Sequence, residues 1–181
     1  MRGYFAIGIE RLSKAGNAGN LMRTAHAFGA SFFFLVDPAT GLREMRKTDT
    51  SGAGDHLPLY LYDSAATLDL PQGCQLVGVE LVEEAIPLPS FRHPTRAAYV
   101  LGPERGSLTP EMQARCAFMV KIPMKFCINV GVAGALIMYD RMLSMGRFAE
   151  RPVGAGAPTE ETPDHVHGKP ILRTARHKHG S

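Results

Sequence analysis

The sequence has few cysteines and no long apolar run, and both shortages exclude classes of protein. Its three cysteines, Cys74, Cys116 and Cys127, are widely spaced and form no Cys-x-x-Cys pair. An odd, scattered set of thiols argues against a disulfide framework and against a zinc site, and it fits a reducing cytoplasm. No apolar run reaches the roughly 18 residues that a membrane-spanning helix needs, and the first residues show no signal-peptide core. We therefore expect a cytoplasmic protein with no bound metal and no membrane partner.

A strong charge of one sign is also missing. The 20 Lys and Arg residues nearly balance the 17 Asp and Glu residues, which leaves a net charge of +3 at pH 7. The segment from Arg151 onward holds five basic and three acidic residues, so two of the three net charges lie there. Overall charge is therefore a weak indication of a nucleic-acid partner, and any phosphate-binding surface must be a local patch.

The 181 residues fit one domain with a sizeable core. Short apolar runs alternate with helical patterns, and this alternation predicts an α/β fold with a mostly parallel, doubly wound sheet. The predicted strands are Tyr4–Glu10 and residues 31–36, 58–62, 75–80, 97–101 and 118–122. The predicted helices are residues 19–28, 64–70, 110–115 and 129–145. We assign the domain to residues 1–148 and a flexible, basic and His-rich tail to residues 149–181, because apolar periodicity stops there.

The sequence predicts the ends of the first helix and the burial of the last one. Asn17 is a plausible cap for the helix that begins near Gly19, and Gly29 can end that helix because glycine readily adopts positive φ. The last helix is apolar around most of its circumference, so it should be buried on nearly all sides. Its apolar positions are Val130, Ala133, Leu136, Ile137, Met138 and Met142. A terminal helix of one small domain usually keeps a solvated face, so we expect a homodimer in which a second copy covers this helix.

Three distinctive loops each follow a predicted strand, after Glu10, Leu101 and Ile122. Ligands of parallel sheets bind beyond the carboxyl ends of the strands, so the three loops can converge on one site. The first loop leads into the helix that carries Arg23, which we expect within the first turns and facing the strand ends. A guanidinium there can bind phosphate or stabilise a developing oxyanion. An ordinary helix with a surface arginine is the alternative.

The second and third loops are rich in small residues. The second reads Gly102-Pro-Glu104-Arg-Gly106, where glycines let a ligand approach the backbone closely and exposed amides can bind it. An ordinary turn would look the same. The third leads from Ile122 into a helix start rich in glycine and alanine. Close packing of a buried helix also explains that composition, and it does not exclude a site at the helix start.

These three segments, in this order and at these distances, resemble the three motifs of the SpoU/TrmH family of SPOUT RNA methyltransferases. Residues 47–58 are similar to the family's Ser-x-Gly-Ala…Leu-Pro segment and include Ser51. The resemblance covers residues 4 to about 147. It implies a sheet whose C-terminal part is tied in a trefoil knot, S-adenosylmethionine held in the knot loops, and a homodimer in which both subunits contribute to each site.

The resemblance also implies a reaction, the transfer of a methyl group from S-adenosylmethionine to a ribose 2'-hydroxyl of RNA without a metal. We expect no added RNA-binding domain, which resembles the smallest tRNA-modifying members, so tRNA is the expected substrate. Ribosomal RNA is one alternative, and a non-catalytic RNA-binding protein on the same fold is another. The predicted tail would be a basic arm that touches RNA phosphate or an inert extension.

The family's site residues are carried over by position. Asn17 and Arg23 match catalytic residues that face the RNA, and Ser51 is a further expected RNA contact. The expected cofactor-binding residues are Leu101, Gly102, Glu104, Gly106, Ile122, Met124, Cys127, Asn129 and Ala133. Our hypothesis is that Arg23 stabilises the alkoxide that forms on the ribose. Two positions depart from the family pattern, because Cys127 stands where serine is common and Ser107 where glycine is usual.

Overall fold

The computed structural model describes residues 3–39, 56–103, 105–146, 148, 151–152 and 154–156. Within these ranges seven strands form one sheet in the order β3-β2-β1-β6-β4-β7-β5, and all neighbouring strands are parallel. The strands are β1 (Tyr4–Glu10), β2 (Phe32–Val36), β3 (Leu59–Tyr62), β4 (Gln75–Val79), β5 (Ile86–Pro87), β6 (Arg96–Leu101) and β7 (Phe118–Lys121). The predicted α/β class with a mostly parallel sheet is confirmed.

Helices cover both faces of the sheet. Among the described residues they are α1 (Ala15–Ala27), α2 (Pro110–Arg115) and α3 (Val130–Met145), with a short 3-10 helix at Leu88–Ser90. Alternate residues of a strand point to opposite faces. Ile7 therefore joins the core under α1 and α3, whereas Ala6 joins the core that contains Met112 of α2. Strands buried on both faces read as continuous apolar runs, which is why the central strands are recognisable in the sequence.

Helix α1 begins four residues before its predicted start. Its first residue is Ala15, and Lys14 precedes it without a side-chain cap. Asn17 therefore lies inside the first turn, and the prediction that it caps the helix is wrong. The extra turn forms because Ala18 is fully buried and extends the helix's apolar face towards its start. The prediction that Gly29 marks the other end is confirmed, since its φ is +75° just after the last turn.

The helix predicted for residues 64–70 does not form. A turn replaces it, in which the Thr67 hydroxyl accepts from Ser64 N at 3.1 Å and donates to Ser64 O at 3.0 Å. Short hydroxyl side chains of this kind compete with helical hydrogen bonding. The sequence pattern also missed β5, whose Pro87 suits an edge strand because proline cannot donate to a ladder.

Helix α3 is buried on only part of its surface. Val130, Ile137 and Met138 lie in the core. Val132, Leu136 and Tyr139, which we call the α3 stripe, keep 52%, 39% and 46% of their surface exposed. The expectation that this helix is buried on nearly all sides is therefore not met within a single chain.

The chain divides into two compact units, Met1–Gly146 and Arg147–Ser181. All of the helices and strands named above belong to the first unit. The predicted tail, residues 149–181, lies almost entirely outside the described residues, so the domain boundary after residue 148 stays a prediction. Among the described residues no helix combines the length and the hydropathy needed to cross a membrane.

Candidate functional site

The carboxyl ends of the neighbouring parallel strands β1, β6, β4 and β7 lie at one edge of the sheet. A cavity of about 170 Å³ opens at this edge. Its walls include the predicted cofactor-binding residues Leu101, Gly102, Gly106, Ile122, Met124, Cys127 and Ala133. The second and third predicted loops are therefore brought together around one space, although they are separate in the sequence. Of the other expected residues, Glu104 and Ser51 lie outside the described residues.

One wall of this cavity is not marked by any local pattern in the sequence. Val79, Glu80 and Leu81, at the end of β4, also line it. No glycine-rich motif follows β4, so nothing local marks these residues. The signal that would reveal them is strand order, because β4 lies directly beside β6 in the sheet. Glu80 thus brings a carboxylate to a largely apolar wall.

Glycines shape the loop that follows β6. Gly106 has a φ of +120°, which side-chain-bearing residues rarely adopt. A Cβ on Gly102 would lie 3.0 Å from Glu80 Oε2 and 3.2 Å from the backbone nitrogen of Leu108. The absence of a side chain at these two positions therefore lets the loop fold tightly beside the cavity.

The first and third predicted segments meet at the start of α3. Asn129 caps this helix, and its Oδ1 accepts from Gly131 N at 2.8 Å. The same side chain donates from Nδ2 to Asn17 Oδ1 at 3.0 Å. Asn17 and Asn129 are thus in contact, next to the cavity wall formed by Val130 and Ala133. Asn129 itself does not line the cavity.

Arg23 lies away from this edge of the sheet. It is eight residues beyond Ala15, which is about 12 Å along the helix axis. The expectation that it lies in the first turns and faces the strand ends is wrong, because α1 starts earlier and runs back from the carboxyl edge. Arg23 is exposed and is not among the residues that line the cavity.

A buried polar cluster lies under α3, towards the opposite edge of the sheet. His93 Nε2 is 2.9 Å from Asp140 Oδ2, and His93 Nδ1 is 2.6 Å from the Tyr99 hydroxyl. Arg141 donates to the Tyr99 hydroxyl at 3.1 Å and to Thr95 O at 3.0 Å, just before β6 begins. Burial lowers the pKa of His93, although its bond to Asp140 opposes the shift. Burial raises the pKa of Tyr99 to about 12. The cluster anchors α3 and is separate from the cavity.

Comparison with known proteins gives one consistent family. The model of the SpoU rRNA Methylase family matches residues 4–139. A curated relative, described as a putative TrmH family tRNA/rRNA methyltransferase YacO of Bacillus subtilis (strain 168), is 29% identical over 147 residues, covering 76% of this chain and 57% of the relative. The chain thus spans little more than half the length of this relative.

Solved structures share the fold. The SpoU methyltransferase AviRb from Streptomyces viridochromogenes, in complex with AdoMet, has a TM-score of 0.69 at 20% identity, covering 80% of this chain and 59% of that one. A structure reported for 2-OH methylation of C/U34 on tRNA has a TM-score of 0.69 at 25% identity, covering 80% of this chain and 98% of that one. With a family match over most of its length and the same fold, this chain belongs to the SpoU rRNA methylase family.

Proposed function

We propose that this chain is an S-adenosylmethionine-dependent RNA methyltransferase that methylates a ribose 2'-hydroxyl, with tRNA as its substrate. The observation that carries the proposal is the cavity at the carboxyl edge of the sheet, where the loops after β6 and β7 meet. Family membership supports the general activity. The tRNA substrate is supported by the structure reported for tRNA 2-OH methylation, because the chain covers 98% of that protein.

The residues around the cavity fit this methyl donor. Leu101, Ile122 and Met124 offer apolar surface to an adenine and ribose, and the bare backbone at Gly102 allows close approach. The carboxylate of Glu80 also lies in the wall, and both of its oxygens accept from backbone N–H groups of the protein. An apolar pocket with a few convergent polar groups is typical of cofactor sites.

The chain's own part in the reaction is alignment and charge stabilisation. Bound S-adenosylmethionine supplies an activated methyl group on a sulfonium. The protein then has to hold the ribose oxygen in line with that methyl group, which removes much of the entropic barrier. The proton of the ribose hydroxyl passes to solvent water, and the guanidinium of Arg23 stabilises the negative charge that develops on the oxygen as that proton leaves.

The position of Arg23 supports a homodimer. Helices α1 and α3 pack side by side, and Asn20 of α1 lies next to Gly131 of α3. Arg23 is exposed one turn beyond Asn20, and the α3 stripe is exposed on the neighbouring helix. A second subunit packed on the stripe covers its apolar side chains and receives Arg23 at its own cavity. This arrangement explains why Arg23 lies far from the cavity of its own chain.

We extend the proposal to the path of the chain. After β4 the chain forms β5, which is the outermost strand of the sheet. It then returns to form β6 beside β1 and finally inserts β7 between β4 and β5. This order supports the trefoil knot expected from the family, with the loops of the knot forming the cavity walls. Knotted chains are rare exceptions among protein folds.

Methyl transfer to defined RNA pools tests the proposal. Purified protein is incubated with labelled S-adenosylmethionine and unmodified tRNA or rRNA, and the nucleosides are identified by mass spectrometry. We expect 2'-O-methylnucleosides in tRNA. Arg23→Lys should lower the rate of methyl transfer at least about tenfold, because the fixed geometry of the guanidinium is lost. The exposed control Arg92→Lys should leave the rate unchanged.

The alternatives give different results. Product in rRNA alone would replace the proposed substrate with the nearest alternative. Donor and RNA binding without product would favour a non-catalytic RNA-binding protein. Full activity of Arg23→Lys would refute the role given to the guanidinium.

A further inference from the structure

A glutamate lies at the carboxyl end of each of the two strands beside β6. Glu10 is the last residue of β1, and Glu80 follows β4. Their carboxylates accept from two consecutive backbone amides at the far end of the loop after β6. Glu80 Oε2 lies 2.9 Å from Leu108 N, and Glu10 Oε2 lies 2.8 Å from Thr109 N. The loop is thus held from both neighbouring strands before the chain enters α2.

The second oxygen of each carboxylate has a different kind of partner. Glu80 Oε1 accepts from Leu81 N at 3.0 Å, so both of its oxygens bind backbone N–H groups. Glu10 Oε1 accepts from the Thr109 hydroxyl at 2.6 Å. A backbone amide can only donate, whereas a hydroxyl can donate or accept. The side chain at position 80 must therefore supply two acceptor atoms, whereas the side chain at position 10 need supply only one.

The two carboxylates also differ in their relation to the cavity. Glu80 lines it, whereas Glu10 is 2% exposed and does not. The bond from Leu108 to Glu80 passes so close to Gly102 that a Cβ there would lie 3.0 Å from Glu80 Oε2 and 3.2 Å from Leu108 N. The beginning of the loop at Gly102 and its end at Leu108 therefore meet at the Glu80 carboxylate.

We propose that Glu80 is a positioning residue of the methyl-donor pocket. It closes the loop between Gly102 and Leu108 and so fixes the backbone that the donor meets, an inference that rests on the proposed function of the cavity. Its effect on the donor passes through the loop. A loop that the protein's own hydrogen bonds hold closed has less backbone left to order when the donor binds.

Substitution of Glu80 and of Glu10 by glutamine distinguishes a role of Glu80 in positioning the loop from a general effect on stability. In Glu80→Gln one acceptor oxygen becomes an NH2 group that faces a backbone N–H, so either Leu81 or Leu108 loses its bond. In Glu10→Gln the carbonyl keeps Thr109 N. The Thr109 hydroxyl oxygen, which already accepts from Met112 N at 3.1 Å, has a second lone pair that accepts from the new NH2 group, so only the bond that the hydroxyl donates is given up. Glu10→Gln is thus a matched control of the same size and charge change.

The experiment measures binding of S-adenosylmethionine and of its neutral product S-adenosylhomocysteine by calorimetry, and amide hydrogen exchange across residues 101–108 without ligand. We expect Glu80→Gln to weaken both ligands about tenfold and to speed exchange in this segment. In methyl transfer its KM for the donor rises by a similar factor while kcat stays within about twofold. Glu10→Gln stays close to wild type, and Gly102→Ala speeds exchange in the same segment because it displaces the Glu80 carboxylate.

Several outcomes would overturn the proposal. Unchanged exchange in Glu80→Gln would show that the carboxylate does not hold the loop. A loss confined to S-adenosylmethionine would show direct charge contact with the sulfonium instead. Should Glu80→Gln fail to fold, unchanged exchange in Gly102→Ala overturns it equally. If folded wild-type protein binds neither ligand, the proposed function fails, and the exchange rates still decide whether Glu80 closes the loop.

Discussion

At the residue scale, the three cysteine thiols have different surroundings. Burial raises the pKa of Cys116 to about 12 and also raises that of Cys74. Cys127 is exposed and lines the cavity. Alkylation requires an accessible thiolate. The rate of alkylation at Cys127 should therefore show whether a ligand occupies the cavity.

We predict that iodoacetamide at pH 8 modifies Cys127 at least about tenfold faster than Cys74 or Cys116, since burial raises the pKa of Cys74 and Cys116, leaves them less thiolate and limits access of the reagent. Saturating S-adenosylmethionine should slow that reaction severalfold because it covers the cavity wall. Peptide mass spectrometry over a time course measures both rates, with Cys127→Ser as the control for assignment. Equal rates with and without the donor would place the donor elsewhere.

The cluster of His93, Tyr99, Asp140 and Arg141 predicts a stability profile. Below pH 6.5, the usual pKa of histidine, the unfolded chain takes up a proton that folded His93 resists, so stability falls as pH decreases. Above pH 10 unfolded Tyr99 ionises, whereas its folded pKa is about 12, so stability falls again as pH rises. We expect this cluster's contribution to be constant between these limits.

Urea midpoints measured from pH 5 to 11 test this profile. His93→Gln should remove much of the loss below pH 6.5, since glutamine does not titrate. The exposed control His26→Gln should leave the acid limb in place. If stability falls as steeply below pH 6.5 in His93→Gln as in wild type, the loss of stability at low pH comes from groups other than His93.

At the scale of elements, α1 and α3 approach closely at one glycine. A Cβ on Gly134 would overlap Leu21 Cδ1 and would lie 3.2 Å from Ile7 Cδ1, and both of these side chains are fully buried. A tightly packed core cannot accept the extra methyl group without displacing its neighbours. The close contact also keeps Asn17 within reach of Asn129.

We predict that Gly134→Ala destabilises the fold by about 1–3 kcal/mol. Gly16→Ala is the matched control, because nothing lies within 4 Å of a Cβ there, and it should be neutral or stabilising by about 0.4–1 kcal/mol. Urea denaturation of both variants gives the difference. Equal stabilities would mean that the two helices are not in close contact at Gly134.

The elements differ in how far the sequence predicts them. Central strands such as β2 are continuous apolar runs, and Gly29 marks a helix end, so local patterns suffice there. The early start of α1 depends on burial of Ala18, which no local signal shows. The bonds of Glu80 and Glu10 to the loop join residues 28 and 99 positions apart. Such partners follow from strand order, which the sequence pattern does not reveal.

At the scale of the whole molecule, exposure of the α3 stripe leads to a prediction about the oligomeric state, on which the proposed role of Arg23 depends. We predict that the protein sediments at twice its 19.6 kDa chain mass, because association covers three exposed apolar side chains. Leu136→Glu should give monomers and reduce methyl transfer at least about tenfold, since a charge would be buried in the interface. Leu61→Glu, on the edge strand β3 and 43% exposed, is the control and should stay dimeric. A monomeric, active wild type would contradict the dimer and the placement of Arg23.

The claim on which the rest depends is that the cavity beside β4 and β6 binds S-adenosylmethionine. Isothermal titration of the purified, folded chain tests it most directly, with Gly102→Val as the variant that fills the space next to Glu80. We expect saturable binding of one donor per chain, displaced by S-adenosylhomocysteine and strongly weakened in Gly102→Val. Absence of saturable binding to the wild-type protein, or unchanged affinity in Gly102→Val, would contradict this claim.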